Sequence, residues 1–312
     1  MENQYIMPLA PGVERTPVRY QNRYGMDLAG ELYAAKDMDQ RVKHPAVIVG
    51  APYGGVKEQG PCVYANELAK RGFVVLTFDQ SFMGESGGGP RHVSSPEIFT
   101  ENFSAGVDFL GLQSIVDRER IGVIGICGSG GFALAAAQAD TRIKAVATCS
   151  MYDMSAAVRD ALDPAALEAA KERLSRQRWT DAEDGSPEYN PTFPEAPLDA
   201  VPEGLDPITE EWMRFYAVRR GHHPRARGGF TTTSDLALLN VRLLAFLDEI
   251  SPRPILFVVG DRAHSKFFSE NAYARAKEPK ELFVVEDAEH IDLYDRTDRI
   301  PFDKLADFFH TI

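Results

Sequence analysis

Cysteine is scarce in this chain of 312 residues: Cys62, Cys127 and Cys149 are the full set, at no regular spacing. Three such residues make neither a disulfide framework nor a metal-ligand pattern, and their isolation points to a reducing compartment. Positive charge is also in short supply. Lys and Arg number 34 against 46 Asp and Glu, a net charge of −12, which excludes the basic face that nucleic acid or an anionic membrane would require. No apolar run approaches the length of about eighteen residues needed for a membrane span. The opening stretch, MENQYIMPLAPGVERT, has no basic region and no long apolar core, so it does not read as a secretory signal. These absences predict a soluble, cytoplasmic protein whose partner is a small molecule. Charged and apolar fractions of 26% and 44% are those of an ordinary globular chain, and its length suits one large domain with an insertion, or two domains.

What is present is organised around Ile121 to Ala137, IGVIGICGSGGFALAAA. An apolar strand of Ile121, Val123, Ile124 and Ile126 runs directly into a helix of small residues, which places Cys127 on a sharp strand-to-helix corner. Gly125, two residues earlier, has no Cβ to collide with such a turn, and Ser129, two residues later, is nearly as small. A reacting carbonyl oxygen can then reach the backbone N–H of Gly128. The positive end of the helix dipole favours thiolate over thiol at the corner. Ser129 as nucleophile is the less favoured register, because it would push the turn beyond the apolar strand. A buried, inert thiol is the bland alternative for Cys127.

Along the chain, Val13 to Tyr20 and Leu28 to Tyr33 form an expected antiparallel hairpin. Pro45 to Val49 is an apolar run of the kind buried on both faces of a parallel sheet. A glycine-rich loop, Gly50 to Val56, follows it and leads to a helix near Pro61 to Arg71. Gly72 to Phe78 is the next strand, then comes an amphipathic helix from Phe99 to Leu112, and Ile143 to Cys149 is the sixth strand. From Met154 to Ile250 the alternation stops. Helical patterns occupy Ala161 to Arg176, Ile208 to Arg219 and Asp235 to Asp248, around an acidic, proline-rich connector. Strand patterns resume at Pro254 to Val259 and Glu281 to Glu286, with a closing helix from Phe302 to Phe309. His222 and His223 are adjacent, which is poor metal geometry without further ligands, so no metal and no cofactor is expected.

The corner resembles the nucleophile elbow of α/β-hydrolases, usually G-x-S-x-G, with cysteine in place of serine as in the dienelactone hydrolase group; the serine at position 129, where glycine is usual, is a departure. The runs GGVKEQ (Gly54 to Gln59), FDQSFMGESGG (Phe78 to Gly88), GICGSGGFA (Gly125 to Ala133) and HIDLYD (His290 to Asp295) are similar to dienelactone-hydrolase-like bacterial relatives of fungal polyketide transferases. The resemblance runs from about Leu28 to the C-terminus. It implies an α/β fold with a mostly parallel central sheet flanked by helices, a core of residues 1–153 and 251–312, and a helical cap of residues 154–250. It also implies that Tyr53 supplies the second oxyanion-hole N–H beside Gly128, and that His290, after the last strand, is the base. The triad acid has two candidates, Asp261 after the seventh strand and Asp153 after the sixth, and the sequence leaves both open. Trp212, Phe215 and Tyr216 of the cap are candidates for lining the pocket or for gluing the cap to the core. Asp79 and the Gly84-Glu85-Ser86 tail are expected to be structural.

The expected chemistry is attack by Cys127 on an ester, thioester or lactone carbonyl, with an acyl-cysteine intermediate. A thiolate leaves easily, so substrates with poor leaving groups such as amines are disfavoured. Acyl transfer to an alcohol, a non-catalytic ligand sensor and C–C bond hydrolysis are the competing readings. By analogy with the fold, a homodimer is an assembly state to test.

Overall fold

The computed structural model describes residues 5–312. A sheet of eight strands runs in the order β1-β2-β4-β3-β5-β6-β7-β8. The strands are β1 (Val13–Gln21), β2 (Asp27–Ala35), β3 (His44–Gly50), β4 (Val74–Phe78), β5 (Val116–Ile126), β6 (Ala145–Cys149), β7 (Ile255–Gly260) and β8 (Lys280–Val285). β1, β2 and β4 pair antiparallel, and every other pairing is parallel. This is an α/β-hydrolase fold, as the sequence leads one to expect.

Alternate residues of the central strands feed two different cores. Ile48, Leu76, Val123, Val146 and Phe257 pack on one face, and Val47, Val49, Val75, Ile124 and Val258 on the other. A strand covered on both sides has no polar face to show, which is why its sequence is apolar throughout rather than alternating. The covering helices are α1 (Gly60–Ala69), α2 (Pro96–Gly111), α3 (Gly128–Ala139), α8 (Lys266–Arg275) and α10 (Phe302–His310), with the short α9 (Asp292–Asp295) between β8 and α10. Ser95 caps α2, its side chain accepting the Ile98 N–H, and Pro96 fills the first turn.

Residues 150–254 add no strand to the sheet. They hold α4 (Met154–Arg159), α5 (Pro164–Asp184), α6 (Pro207–Tyr216) and α7 (Asp235–Leu239). α5 runs past its expected end at Arg176 and stops at Gly185, whose φ of 67° is the left-handed C-terminal turn glycine favours. The helix expected over Asp235 to Asp248 breaks after Leu239. Side chains capture the backbone there: Ser155 Oγ accepts the Leu243 N–H, and Gln138 on α3 bonds both Leu243 O and the Phe246 N–H. Among the described residues no helix is long and apolar enough to cross a membrane.

Candidate active site

β5 ends at Ile126 and α3 begins at Gly128, leaving Cys127 alone at the corner with φ 54° and ψ −124°. That conformation is costly for a residue with a Cβ, of order 1–3 kcal/mol, and three backbone bonds hold it. Cys127 N–H donates to Cys149 O at 3.0 Å, while Cys127 O accepts from Gly130 N–H and Tyr152 N–H, each at 2.9 Å. Glycine is required just before the corner: a Cβ on Gly125 would stand 2.2 Å from Ser129 O and 2.5 Å from Gly130 Cα. Ser129 lies inside the first turn of α3, its side chain against Gly50 of β3, so the structure sets Cys127 rather than Ser129 at the bend.

The Tyr53 and Gly128 backbones meet at this corner, where a Cβ on Gly128 would stand 2.7 Å from Tyr53 Cβ, and the N–H groups of both favour the Cys127 thiolate. The Tyr53 loop is fixed from below. Asp79 accepts the Lys57 N–H at 2.8 Å, and Lys57 Nζ reaches Glu58, Asp79 and Glu85 at 2.7, 3.1 and 2.8 Å. From the insertion, Arg225 joins the same cluster through Glu58 at 3.1 Å and Glu85 at 2.8 Å. Asp79 and the Gly84-Glu85-Ser86 tail are therefore architecture. Above the loop, the Tyr53 ring stacks on Phe230 with centroids 4.1 Å apart.

Burial works against the thiolate that the helix dipole favours. Cys127 is 5% exposed, and burial pushes its thiol above the ordinary cysteine value, partly offset by the Tyr294 hydroxyl and the Tyr53 and Gly128 N–H groups. Desolvation outweighs the dipole because the end of a helix is worth only about 0.3–1 kcal/mol at an exposed site.

His290 lies in the turn between β8 and α9 and is fully buried. Its Nδ1 meets Ser265 Oγ at 2.5 Å and its Nε2 meets the Tyr294 hydroxyl at 2.9 Å. That hydroxyl also favours the Cys127 thiolate, so it acts on both sulfur and imidazole. Burial, with the neighbouring His264, holds His290 well below the ordinary histidine value. Burial thus disfavours charge on both the thiol and the imidazole.

Neither aspartate proposed from the sequence reaches that histidine. Asp261 sits one residue past β7 and is exposed, its N–H bonded to Val285 O. Asp153 caps α4, with one carboxylate oxygen accepting from Ser155 N–H, Ala156 N–H and Ser155 Oγ at 3.0, 3.1 and 2.6 Å. Among the described residues no hydrogen bond joins either to His290. The loop after β7 turns outward at Asp261 and brings Ser265 inward just ahead of α8, so a hydroxyl takes the place expected for a carboxylate.

A carboxylate is nearby, but on another imidazole. Glu211 on α6 accepts from Ile291 N–H at 3.1 Å with one oxygen and bonds His264 Nδ1 at 2.7 Å with the other. The His264 and His290 rings stack with centroids 4.8 Å apart. Trp212 stands edge-on to both, at 5.1 and 4.9 Å. Tyr216 is buried beside Trp212, its ring edge-on to Tyr294 at 6.4 Å, whereas Phe215 is buried beneath the Tyr294 ring. Of the three aromatics named from the sequence, Trp212 stands against His264 and His290, Tyr216 lies beside Tyr294, and Phe215 packs behind them. A cavity of about 840 Å³ adjoins the site, lined in part by Tyr152, Ile208, Val241, Leu244, His264 and Phe268.

Ser265, Tyr294, His264 and Glu211 were not singled out by the sequence. Tyr294 had a legible signal, since it follows His290 by four residues, one helical turn. Glu211 had none. His222 and His223 are spent locally: His222 Nε2 bonds Pro194 O, and His223 Nδ1 accepts the Arg225 N–H. Among the described residues no group of three or more His, Cys, Asp and Glu side chains forms a metal site.

The sequence pattern of the Alpha/beta hydrolase family matches residues 47–300. The chain belongs to the Alpha/beta hydrolase family. Within it, this hydrolase-family chain is 49% identical over 309 residues to the uncharacterized protein PA2218 of Pseudomonas aeruginosa, covering 97% of this chain and 82% of that one. The crystal structure of PA2218 superposes with a TM-score of 0.94 at 48% identity, over 99% and 97% of the two chains. The thiohydrolase aneE of Aspergillus aculeatus is 28% identical over 75% of this chain and 73% of its own. The polyketide transferase grgF of a Penicillium species is 25% identical over 91% and 92%, and its structure shares the fold with a TM-score of 0.80 at 23% identity, over 96% and 98% of the chains.

Proposed function

We propose that this α/β-hydrolase cleaves esters, thioesters or lactones through an acyl-Cys127 intermediate, as a cysteine-nucleophile, dienelactone-hydrolase-like enzyme. One observation carries the reading: Cys127 stands alone at a strained strand-to-helix corner, φ 54°, where the Tyr53 and Gly128 backbones meet. Donors placed there meet the oxygen of a carbonyl attacked by that sulfur, each worth about 3–4 kcal/mol in the transition state. The Cys127 proton passes to His290 Nε2 by way of the Tyr294 hydroxyl, which bonds that nitrogen at 2.9 Å. Sulfur attacks, the oxyanion sits on the two N–H groups, and His290 protonates the leaving group. Ser265 holds the imidazole orientation at Nδ1. Water or an alcohol then releases the acyl group.

A starting thiol that must be deprotonated during attack suits a carbonyl that is already activated. Thioesters and enol lactones meet that need, and the relatedness to a thiohydrolase and a polyketide transferase favours the thioester. Transfer to an alcohol in place of hydrolysis is supported by the burial of both Cys127 and His290, which limits competing water. The insertion over residues 154–250 acts as the cap that provides this burial, through Trp212 and Tyr216.

The test is turnover of p-nitrophenyl butyrate and of an N-acetylcysteamine butyryl thioester, with intact-mass detection of the protein. An adduct of butyryl mass is expected on the unsubstituted protein and absent in Cys127→Ala, and His290→Ala should form it about 10²-fold or more slowly. Turnover undiminished in Cys127→Ala would overturn the proposal.

A further inference from the structure

The site holds two imidazoles, and the one with a carboxylate behind it is not the one that faces the sulfur. His290 has both nitrogens occupied, by Ser265 and by Tyr294. His264 has Nδ1 on Glu211, while its Nε2 is buried with no hydrogen-bond partner among the described residues. The carboxylate accepts the Nδ1 proton and so leaves Nε2 with a lone pair. It also stabilises the imidazolium that forms when Nε2 takes a proton, which is what a third member does for a general base. His264 further forms the wall, with Tyr152, between the reacting groups and the adjoining cavity, whose Ile208, Val241, Leu244 and Phe268 suit an apolar molecule. The Tyr152 N–H in turn bonds Cys127 O, so this wall is one peptide contact from the nucleophile.

We infer that His264, oriented by Glu211, is a second general base dedicated to the acceptor: it deprotonates the hydroxyl of a water or of an apolar alcohol that attacks the acyl-cysteine from the adjoining cavity. The inference rests on the proposed acyl-Cys127 chemistry. In the step, the acceptor oxygen bonds to the acyl carbon and its proton moves to His264 Nε2. The carbon–sulfur bond then breaks, and the proton returns to the departing sulfur to restore the thiol. His290 serves acylation and His264 serves release. Stacked rings at this spacing disfavour two simultaneous positive charges, so the two bases work in turn rather than together.

The experiment separates the half-reactions with p-nitrophenyl butyrate in His264→Gln and Glu211→Gln. The burst of p-nitrophenol, which reports acylation, is expected to stay within about threefold of the unsubstituted protein. Steady-state turnover should fall about 10²-fold in His264→Gln and about tenfold in Glu211→Gln, an orienting change, with butyryl-Cys127 accumulating by intact mass. Hydroxylamine, whose nitrogen attacks without a base, should restore turnover in both variants, and methanol should not. Glu211→Gln keeps an acceptor for the Ile291 N–H, so the answer does not depend on position 264 tolerating glutamine. Deacylation unchanged in both variants, or burst and steady state falling in equal proportion in both, overturns the inference while leaving the Cys127 reading intact. No adduct on Cys127 in the unsubstituted protein overturns both.

Discussion

At the scale of single residues, the site is governed by burial. Cys127 and His290 both sit where charge is disfavoured, the first pushed up and the second pushed down by desolvation. A neutral pair has a kinetic signature that differs from a thiolate and imidazolium pair. Alkylation of Cys127 by iodoacetamide, followed by peptide mass, is expected to rise about tenfold per pH unit from pH 6 to 9, since only the thiolate reacts. A rate already high at pH 6 and flat above it would show the ion pair instead. Cys62 and Cys149, buried and pushed up to about 12, should stay unlabelled in the folded protein. The corner at Cys127 was legible in the sequence because glycine at 125 and a small residue at 129 leave a spacing that few other turns need. The histidine partner was not. A carboxylate after β7 is the usual holder of such an imidazole, and a serine such as Ser265 carries no comparable signal. Glu211 contributes from a helix roughly 80 positions before Ile291, its contact, a separation that only the folded chain closes.

At the scale of elements, the tightest constraint lies where β5 meets α3. The missing Cβ at Gly125 is space occupied by backbone, Ser129 O and Gly130 Cα, and backbone there cannot retreat without undoing the elbow. Gly125→Ala is expected to cost more than about 4 kcal/mol or to prevent folding, read as a shift in a urea unfolding curve. A loss under about 1 kcal/mol would mean that the corner is softer than its contacts indicate. The strands were legible because each carries a short apolar run closed by glycine, proline or a charged residue, and two-sided burial demands that composition. The helix over Asp235 to Asp248 that periodicity predicts stops at Leu239 for a reason that periodicity does not record. Ser155 and Gln138 bond its backbone more favourably than a further helical turn would, and those partners lie about a hundred residues away in the chain.

At the scale of the whole molecule, the insertion is tied to the core by charged and polar contacts. Arg225 reaches Glu58 and Glu85, Arg220 meets Asp295 at 2.6 Å, Arg214 meets Glu289 at 2.8 Å, and Glu211 holds the Ile291 N–H. Acid should loosen this arrangement through its buried histidines. Burial, followed by the nearby Arg225, lowers His223 to about 4. An imidazole depressed in the fold binds fewer protons folded than unfolded, so its stabilisation is complete above the unfolded value of about 6.5 and is lost as pH falls toward 4. Urea midpoints measured between pH 7.5 and 4.5 are expected to fall, and His223→Asn should flatten that fall by removing one of the groups responsible. An unchanged slope in the variant would remove His223 from the account. The placement of the two tryptophans has a separate use. Trp179 is 70% exposed on α5, while Trp212 stands edge-on to His264 and His290. With Trp179→Phe, all indole fluorescence of the chain originates beside His264 and His290, and an imidazolium is a quencher of that emission. The protein therefore carries its own optical probe of which step of its cycle holds the proton.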